Sequence, residues 1–185
     1  MATISFSFLI DSHFAKLYYN FLIFIELCEM KLTDLLNESF IIPELTSETK
    51  EGAINELIDL FINDPRVKDI EKVRQSVLER EKIMSTGVGK GFAIPHGKTD
   101  LVTDILCAFG KSSTPIDYQA LDAKPVFLLF LLIGKDNLVS LHIKLLSRIS
   151  RMMTKDTLRE KLVAAKTKAE IMHVFKEEEE TYFDL

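Results

Sequence analysis

The chain has 185 residues, of which 47% are hydrophobic and 28% are charged, so it can bury a core and is too apolar for intrinsic disorder. A formal net charge of -5 argues against broad binding to nucleic acid or to anionic lipid, because both attract basic surfaces. The two cysteines, Cys28 and Cys107, stand alone and provide neither a disulfide framework nor a zinc motif. Isolated thiols favour a reducing compartment, and we expect a cytoplasmic protein.

The first 29 residues differ in composition from the rest of the chain. Residues 1–29 hold five of the thirteen phenylalanines but only four charged residues, and no uncharged run among them exceeds ten residues. A membrane-spanning helix needs roughly 20, and no basic segment opens the chain as in a secretory signal. Three interpretations stay open: an amphipathic or partner-binding extension, a weak membrane contact without stable insertion, or a natural translation start at Met30. We therefore predict one domain over 30–185, preceded by an extension whose presence in the natural protein is undecided.

The predicted elements after residue 30 alternate between helix and strand. Apolar residues recur at intervals of three and four over 50–63 and again over 69–82, which predicts two helices. A glycine-rich loop over 85–91 comes next. It is followed in chain order by a strand over 92–94, a strand over 105–110, a strand over 126–133, a helix over 137–153 and two more helices. Because strands separated by helices pack as layers, the chain is predicted to be a single α/β domain.

The stretch 85–98 stands out because three glycines fall within five residues, at positions 87, 89 and 91. Glycines permit a tight backbone path and leave N–H groups able to cradle an anion. The spacing does not match a nucleotide-binding loop, because the position five residues before Gly97 is Phe92 where a Walker A motif needs glycine. The third glycine also comes too early for a dinucleotide fingerprint. We therefore expect no nucleotide cofactor.

His96 is the first candidate for chemistry. It follows Pro95, which fixes the backbone, and precedes Gly97, which leaves room beside the ring. A histidine at the end of a short strand, within a glycine-rich loop, is predicted to be presented to solvent rather than buried. The alternative is a surface histidine with no functional role.

His142 is the second candidate. It is the one polar member of an apolar helical stripe that includes Leu138 and Leu145. A histidine in this position is either a hydrogen-bonded core residue or a group that meets His96, since both lie near the ends of elements that pack together.

Two histidines that meet would form half a metal site or a phosphoryl-transfer centre. A metal needs further ligands, and no Cys, His or Asp cluster at ligand spacing lies near either histidine, so we expect no metal. Arg80, at the end of the helix before the glycine-rich loop, is a ready partner for an anion. The alternative for Arg80 is a surface salt bridge with Glu79 or Glu81.

These residues resemble a known active-site segment. The run Arg-Glu-Lys over 80–82 and the run Ser-Thr-Gly-Val-Gly-Lys-Gly-Phe-Ala-Ile-Pro-His-Gly-Lys over 85–98 are similar to those of the enzyme IIA domains of the bacterial phosphoenolpyruvate-dependent sugar phosphotransferase system. The matching group is the fructose/mannitol type, including the nitrogen-related branch. The resemblance continues through His142-x-x-x-Leu146 and covers about residues 32–176.

The resemblance implies a fold and a function. The fold is a mixed β-sheet flanked by helices in a single domain. His96 would accept a phosphoryl group from the histidine-containing phosphocarrier protein, while His142 and Arg80 match the family's second histidine and its arginine and would stabilise that group. In the sugar branch the phosphoryl group then passes to a cysteine of an enzyme IIB domain. In the nitrogen-related branch other proteins respond to the phosphorylation state.

The chemistry of the residues agrees with this resemblance. Imidazole is partly neutral near pH 7, so His96 can take a phosphoryl group without a separate base. The transfer needs mostly positioning and charge stabilisation, to which the backbone N–H groups of Gly89, Lys90 and Gly91 could contribute, with no metal or nucleotide. Mannitol-specific members carry Glu where this chain has Lys90, which points to the nitrogen-related or fructose-like branch. A regulatory binding module, whose output is protein contact rather than onward transfer, is the alternative.

Overall fold

The computed structural model describes residues 31–183 of the chain. The predicted extension over 1–29 lies outside the described residues, and the domain boundary at residue 30 stays a prediction. The described part opens with a short helix α1 (Leu32–Leu35), a 3₁₀ turn (Glu38–Phe40) and a two-residue strand β1 (Ile41–Ile42). The buried carboxylate of Glu179 accepts hydrogen bonds from the backbone N–H groups of Leu32 and Thr33, which ties α1 to the C-terminal part of the chain.

The two helices predicted next are present, with capped N-termini. They are α2 (Lys50–Asp59) and α3 (Ile70–Ile83). The side chains of Thr49 and Asp69 accept hydrogen bonds from backbone N–H groups in the first turns of α2 and α3. Helix α2 ends four residues earlier than the predicted 63, because the chain tightens there into turns in which Phe61 N–H donates to Ile58 O at 2.9 Å.

A six-stranded mixed sheet forms the centre of the described domain. Its strands after β1 are β2 (Gly87–Gly89), β3 (Phe92–Ala93), β4 (His96–Lys98), β5 (Leu106–Ile116) and β6 (Val126–Gly134). The spatial order is β1-β5-β6-β3-β2, and β4 also pairs with β6. Strands β5 and β6 are antiparallel, whereas β3 and β4 both run parallel to β6. The predicted mixed sheet flanked by helices is confirmed.

Strand β6 is covered on both faces, as its apolar composition predicts. Leu129, Leu131 and Ile133 belong to a core cluster with α2 and α3, whereas Phe130 packs edge-on against Phe175 with ring centroids 5.8 Å apart. The remaining helices are α4 (Val139–Met153), α5 (Asp156–Ala164) and α6 (Lys168–Phe183). Among residues 31–183, no helix combines the length and the apolar character needed to cross a membrane.

The glycine-rich segment is a β-hairpin, so its prediction as a loop was wrong. Strand β2 pairs antiparallel with β3, with Gly87 opposite Ala93. Gly89, Lys90 and Gly91 form the turn, with φ of 106°, 56° and 81°. Three consecutive residues in the left-handed region suit glycine and reverse the chain within a few residues. Strands this short are stabilised by their pairing partners, which a local sequence pattern does not reveal.

Candidate active site

His96 is the first residue of β4 and lies opposite Leu132 of β6. It is half-buried and lines two open cavities of about 380 and 480 Å³, so it is less exposed than predicted and lies in a strand rather than a loop. The ring Nδ1 is 2.8 Å from the carbonyl oxygen of Ile94. A carbonyl oxygen only accepts, so Nδ1 carries the proton and Nε2 keeps its lone pair when the ring is neutral.

The surroundings of His96 keep its ring neutral. Burial lowers the pKa of His96 and is the largest effect; the hydrogen bond to Ile94 O opposes it, the charge of Arg80 lowers the pKa further and that of Glu81 raises it. A neutral imidazole with a free Nε2 is a nucleophile near pH 7.

The structure brings His142 to His96, which is one of the two alternatives that the sequence left open. His142 lies in the first turn of α4, and its ring centroid is 5.9 Å from that of His96 at an interplanar angle of 55°. The residue is only 3% exposed, yet neither ring nitrogen has a hydrogen-bond partner among residues 31–183. A buried polar group without a partner is costly, so this ring does not fit the alternative of a hydrogen-bonded core histidine.

Because His142 is buried, the free energy of unfolding of the protein should depend on pH through this residue. Desolvation, with smaller effects from the charges of His96 and Lys98, lowers the pKa of His142 to about 4. Between pH 6.5 and 4 the unfolded chain binds this proton more readily than the folded chain, so the free energy of unfolding falls as pH falls through that window. We expect a loss on the order of 3 kcal/mol from this group. Urea unfolding at pH 7 and pH 4 should show this loss in the wild type relative to His142→Gln, and an equal loss in both would contradict it.

Gly134 sets the position of the His142 ring, and it was not among the residues predicted from the sequence. A Cβ atom built on Gly134, the last residue of β6, would lie 2.4 Å from Nδ1 of His142. The ring therefore packs directly on the strand backbone. The signal in the sequence is a glycine that ends an otherwise apolar strand, which has no local meaning until the helix is placed over it.

Gly134→Ala should therefore displace the His142 ring. We expect a loss of roughly 1–3 kcal/mol in the free energy of unfolding, the usual cost of overpacking, with a shift of the His142 ring signals in NMR spectra. The matched control is the same substitution in a His142→Ala background, where the methyl group has room and the added cost should nearly vanish. Equal costs in both backgrounds would show that the ring does not depend on Gly134.

Arg80 lies where an anion on His96 would need it. Its side chain lines both cavities beside His96, and its Nη1 donates to the carbonyl oxygen of Met84 at 2.9 Å. The alternative of a salt bridge does not fit: Glu81 is paired with Lys50, and Glu79 accepts a hydrogen bond from the Gln75 side chain.

The predicted phosphate cradle, Gly89 to Gly91, does not lie beside His96. Lys90 N–H donates to Oδ2 of Asp122 at 2.9 Å, and none of the three residues lines either cavity. Along β6 the hairpin and His96 are separated, since Phe92 pairs with Leu128 and His96 pairs with Leu132. Four residues of strand span about 13 Å, so the structure does not bring this turn to His96.

An apolar rim surrounds the two histidines and was not identified from the sequence. We use this name for Ile83, Leu121 and Ile143, which line the cavities and are 81%, 77% and 59% exposed. Exposed apolar side chains grouped around a polar site are typical of a protein-docking surface. In residues 31–183 no cluster of three or more His, Cys, Asp or Glu side chains is arranged to hold a metal ion.

Comparison with known proteins shows the family of the chain. Residues 34–178 match the family described as "Phosphoenolpyruvate-dependent sugar phosphotransferase system, EIIA 2". The chain is 41% identical over 134 residues to the "PTS system fructose-specific EIIA component" of Haloferax volcanii, covering 70% of this chain and 84% of that protein. The match to the "PTS system fructose-specific EIIABC component" of Bacillus subtilis is 32% identical over 145 residues and covers 78% of this chain but 23% of that protein. The crystal structure of the nitrogen regulatory protein IIA-Ntr from Neisseria meningitidis aligns with a TM-score of 0.73 at 28% identity, covering 78% of this chain and 98% of that one.

The chain therefore belongs to the EIIA type 2 family of the phosphoenolpyruvate-dependent sugar phosphotransferase system. This confirms the resemblance drawn from residues 80–98, and the fold of the family is the one described above. Members of this family are phosphotransfer components.

Proposed function

We propose that this protein is a phosphoryl carrier that holds the phosphoryl group on Nε2 of His96. The observation that carries the proposal is the paired geometry of the site: His96 has its Nδ1–H directed to Ile94 O, and the buried, unpartnered His142 lies beside it. Family membership supports the same role. The donor would be the histidine-containing phosphocarrier protein.

The transfer itself is a displacement at phosphorus. The lone pair of His96 Nε2 forms the new N–P bond while the N–P bond of the donor's phosphohistidine breaks. The donor ring, protonated on its other nitrogen, leaves with that electron pair as a neutral imidazole. No proton has to leave His96: its proton stays on Nδ1, hydrogen-bonded to Ile94 O, and the phosphorylated ring carries one positive charge. The guanidinium of Arg80 and an N–H of His142 would stabilise the oxygens of the transferred group. The apolar rim would seat the partner proteins.

Two roles of the phosphorylated protein are compatible with the comparisons. The name of the Bacillus subtilis relative joins EIIA with B and C components, which supports an enzyme IIB as acceptor in a fructose-like branch. The likeness to nitrogen regulatory protein IIA-Ntr supports the second candidate, a regulatory module whose output is protein contact. In either branch we place the protein in the cytoplasm with its phosphoryl donor.

One labelling experiment tests the carrier function and separates the two roles. The full chain is incubated with phosphoenolpyruvate, enzyme I and the phosphocarrier protein, and the modified residue is mapped by mass spectrometry under basic conditions. We expect an acid-labile, base-stable phosphoryl group on His96. A fructose-type enzyme IIB is then added. Loss of the label to IIB indicates transport, retention indicates the regulatory module, and no label on His96 would refute the carrier role.

We further propose that the functional domain comprises residues 30–185 and does not need residues 1–29. A chain that starts at Met30 keeps α1 and the hydrogen bonds from Leu32 and Thr33 to Glu179. We expect it to melt at the temperature of the full chain and to be labelled at the same rate. A chain that starts at Leu36 is the control: it leaves the Glu179 carboxylate without these partners and should melt lower. A large drop in melting temperature for the Met30 chain would show that the extension is structural.

A further inference from the structure

A buried ion pair lies directly behind the candidate site. Nζ of Lys50, at the start of α2, is 3.0 Å from Oε1 of Glu81, near the end of α3, and the two side chains are 20% and 5% exposed. The same ammonium group lies over the ring of Tyr118, 4.8 Å from its centroid. A buried ion pair is weak evidence for stability, because apolar residues of similar volume often serve as well. Its position relative to His96 indicates another role.

Three hydrogen bonds in series connect this pair to the ring of His96. The Glu81 carboxylate accepts the N–H of Thr86 at 3.0 Å and also its hydroxyl group. The carbonyl oxygen of Thr86 accepts the N–H of Ile94 at 3.0 Å. The carbonyl oxygen of Ile94 in turn accepts Nδ1–H of His96 at 2.8 Å.

This series fixes the acceptor that selects the tautomer of His96. Thr86 immediately precedes β2 and Ile94 immediately follows β3, so a carboxylate that anchors Thr86 also anchors the carbonyl group of Ile94 across the hairpin. The N–H and the C=O group of one residue belong to different peptide groups, so the series acts by holding the backbone in place. The Thr86 hydroxyl, which donates to the Glu81 carboxylate, is also 3.2 Å from the hydroxyl of Tyr118, so Thr86 is held from a second side.

We propose that Glu81, held by Lys50, is a positioning residue for the transfer: acting through Thr86 and Ile94, it keeps the proton of His96 on Nδ1 and leaves Nε2 as the nucleophile. The proposal rests on the proposed function of His96. Its first readout, the tautomer of the ring, is nevertheless independent of phosphorylation.

The test compares Glu81→Gln with Glu71→Gln in the full chain. Glu71 is on the same helix, and its side chain is 74% exposed in a salt bridge with Arg74, so the control removes one negative charge away from the site. Gln at 81 removes the charge and replaces one carboxylate oxygen by an NH₂ group, so the N–H and hydroxyl of Thr86 and the ammonium of Lys50 no longer all find an acceptor. Proton–nitrogen correlation NMR above the pKa of His96 should show Nδ1–H in the wild type and the control, and a mixture of tautomers in Glu81→Gln. Labelling should slow on the order of tenfold or more in Glu81→Gln alone.

A double variant keeps the test decisive if Glu81→Gln fails to fold. Lys50→Met combined with Glu81→Gln removes both charges, so no unpaired ammonium stays buried. We expect it to fold and still to show mixed tautomers and slow labelling. A wild-type tautomer and rate in either folded variant would overturn the proposal. If the wild type is never labelled, the proposed carrier function is refuted. The tautomer comparison still decides whether Glu81 positions the ring of His96.

Discussion

His96→Ala is expected to abolish labelling by the phosphocarrier protein, because it removes the nitrogen that bonds to phosphorus. The fold should survive, since the half-buried ring lies beside open cavities and β4 pairs with β6 through its backbone. The measurement is incorporation of phosphate with phosphoenolpyruvate, enzyme I and the phosphocarrier protein, with circular dichroism to confirm folding. A loss below detection is expected.

His173→Ala is the matched control for this variant. His173 is on α6, its side chain is 72% exposed, and it is 3.2 Å from Glu177 in an i,i+4 pair. Removing it deletes a histidine from the surface without touching either cavity, so labelling should continue at the wild-type rate. Full labelling of His96→Ala, or loss of labelling in His173→Ala, would refute the assignment of His96 as the phosphoryl acceptor.

His142→Gln is expected to slow transfer by roughly 10²–10³, the usual effect of losing one preorganised donor. Gln keeps a donor and much of the volume, but its flexible side chain does not hold an amide where the imidazole N–H lies. The tight packing of the ring on Gly134 supplies that preorganisation in the wild type. The variant should stay folded, be labelled slowly at His96 and pass the phosphoryl group on poorly.

Kinetics separate this role from a purely structural one. If His142 acts on the transferred group, kcat should fall while KM for the phosphocarrier protein changes little, because the apolar rim that seats the partner is intact. The matched control, His173→Gln, should change neither. Transfer at the wild-type rate with only a lowered melting temperature would show that His142 is a structural core residue. Arg80 would then be the main group that stabilises the phosphoryl oxygens.

The parts of the fold that follow a local pattern could be predicted from the sequence. The three-and-four spacing over 69–82 and the apolar run over 126–133 each coincide closely with α3 and β6. Strands β2 and β4 could not be predicted, because three-residue strands containing glycine exist only by virtue of pairing with β3 and β6.

The residues of the site also divide into those that a local sequence pattern marks and those that it does not. The sequence left His142 either as a core residue or as a partner of His96, since both lie near the ends of elements that pack together, and the structure places the two rings side by side. The cradle at Gly89 to Gly91 was wrong because the register along β6, not proximity in the chain, sets the distance to His96. Glu81 and Gly134 act through contacts between elements distant in sequence, and no local pattern marks such contacts.

In the proposed carrier state the phosphoryl group resides on one particular nitrogen, Nε2 of His96. The most direct test is to phosphorylate the full chain carrying nitrogen-15 histidine, and to identify by NMR the ring nitrogen that couples to phosphorus. The hydrogen bond from Nδ1 to Ile94 O predicts phosphorus on Nε2, with the proton still on Nδ1. Phosphorus on Nδ1, or on any residue other than His96, would contradict this account.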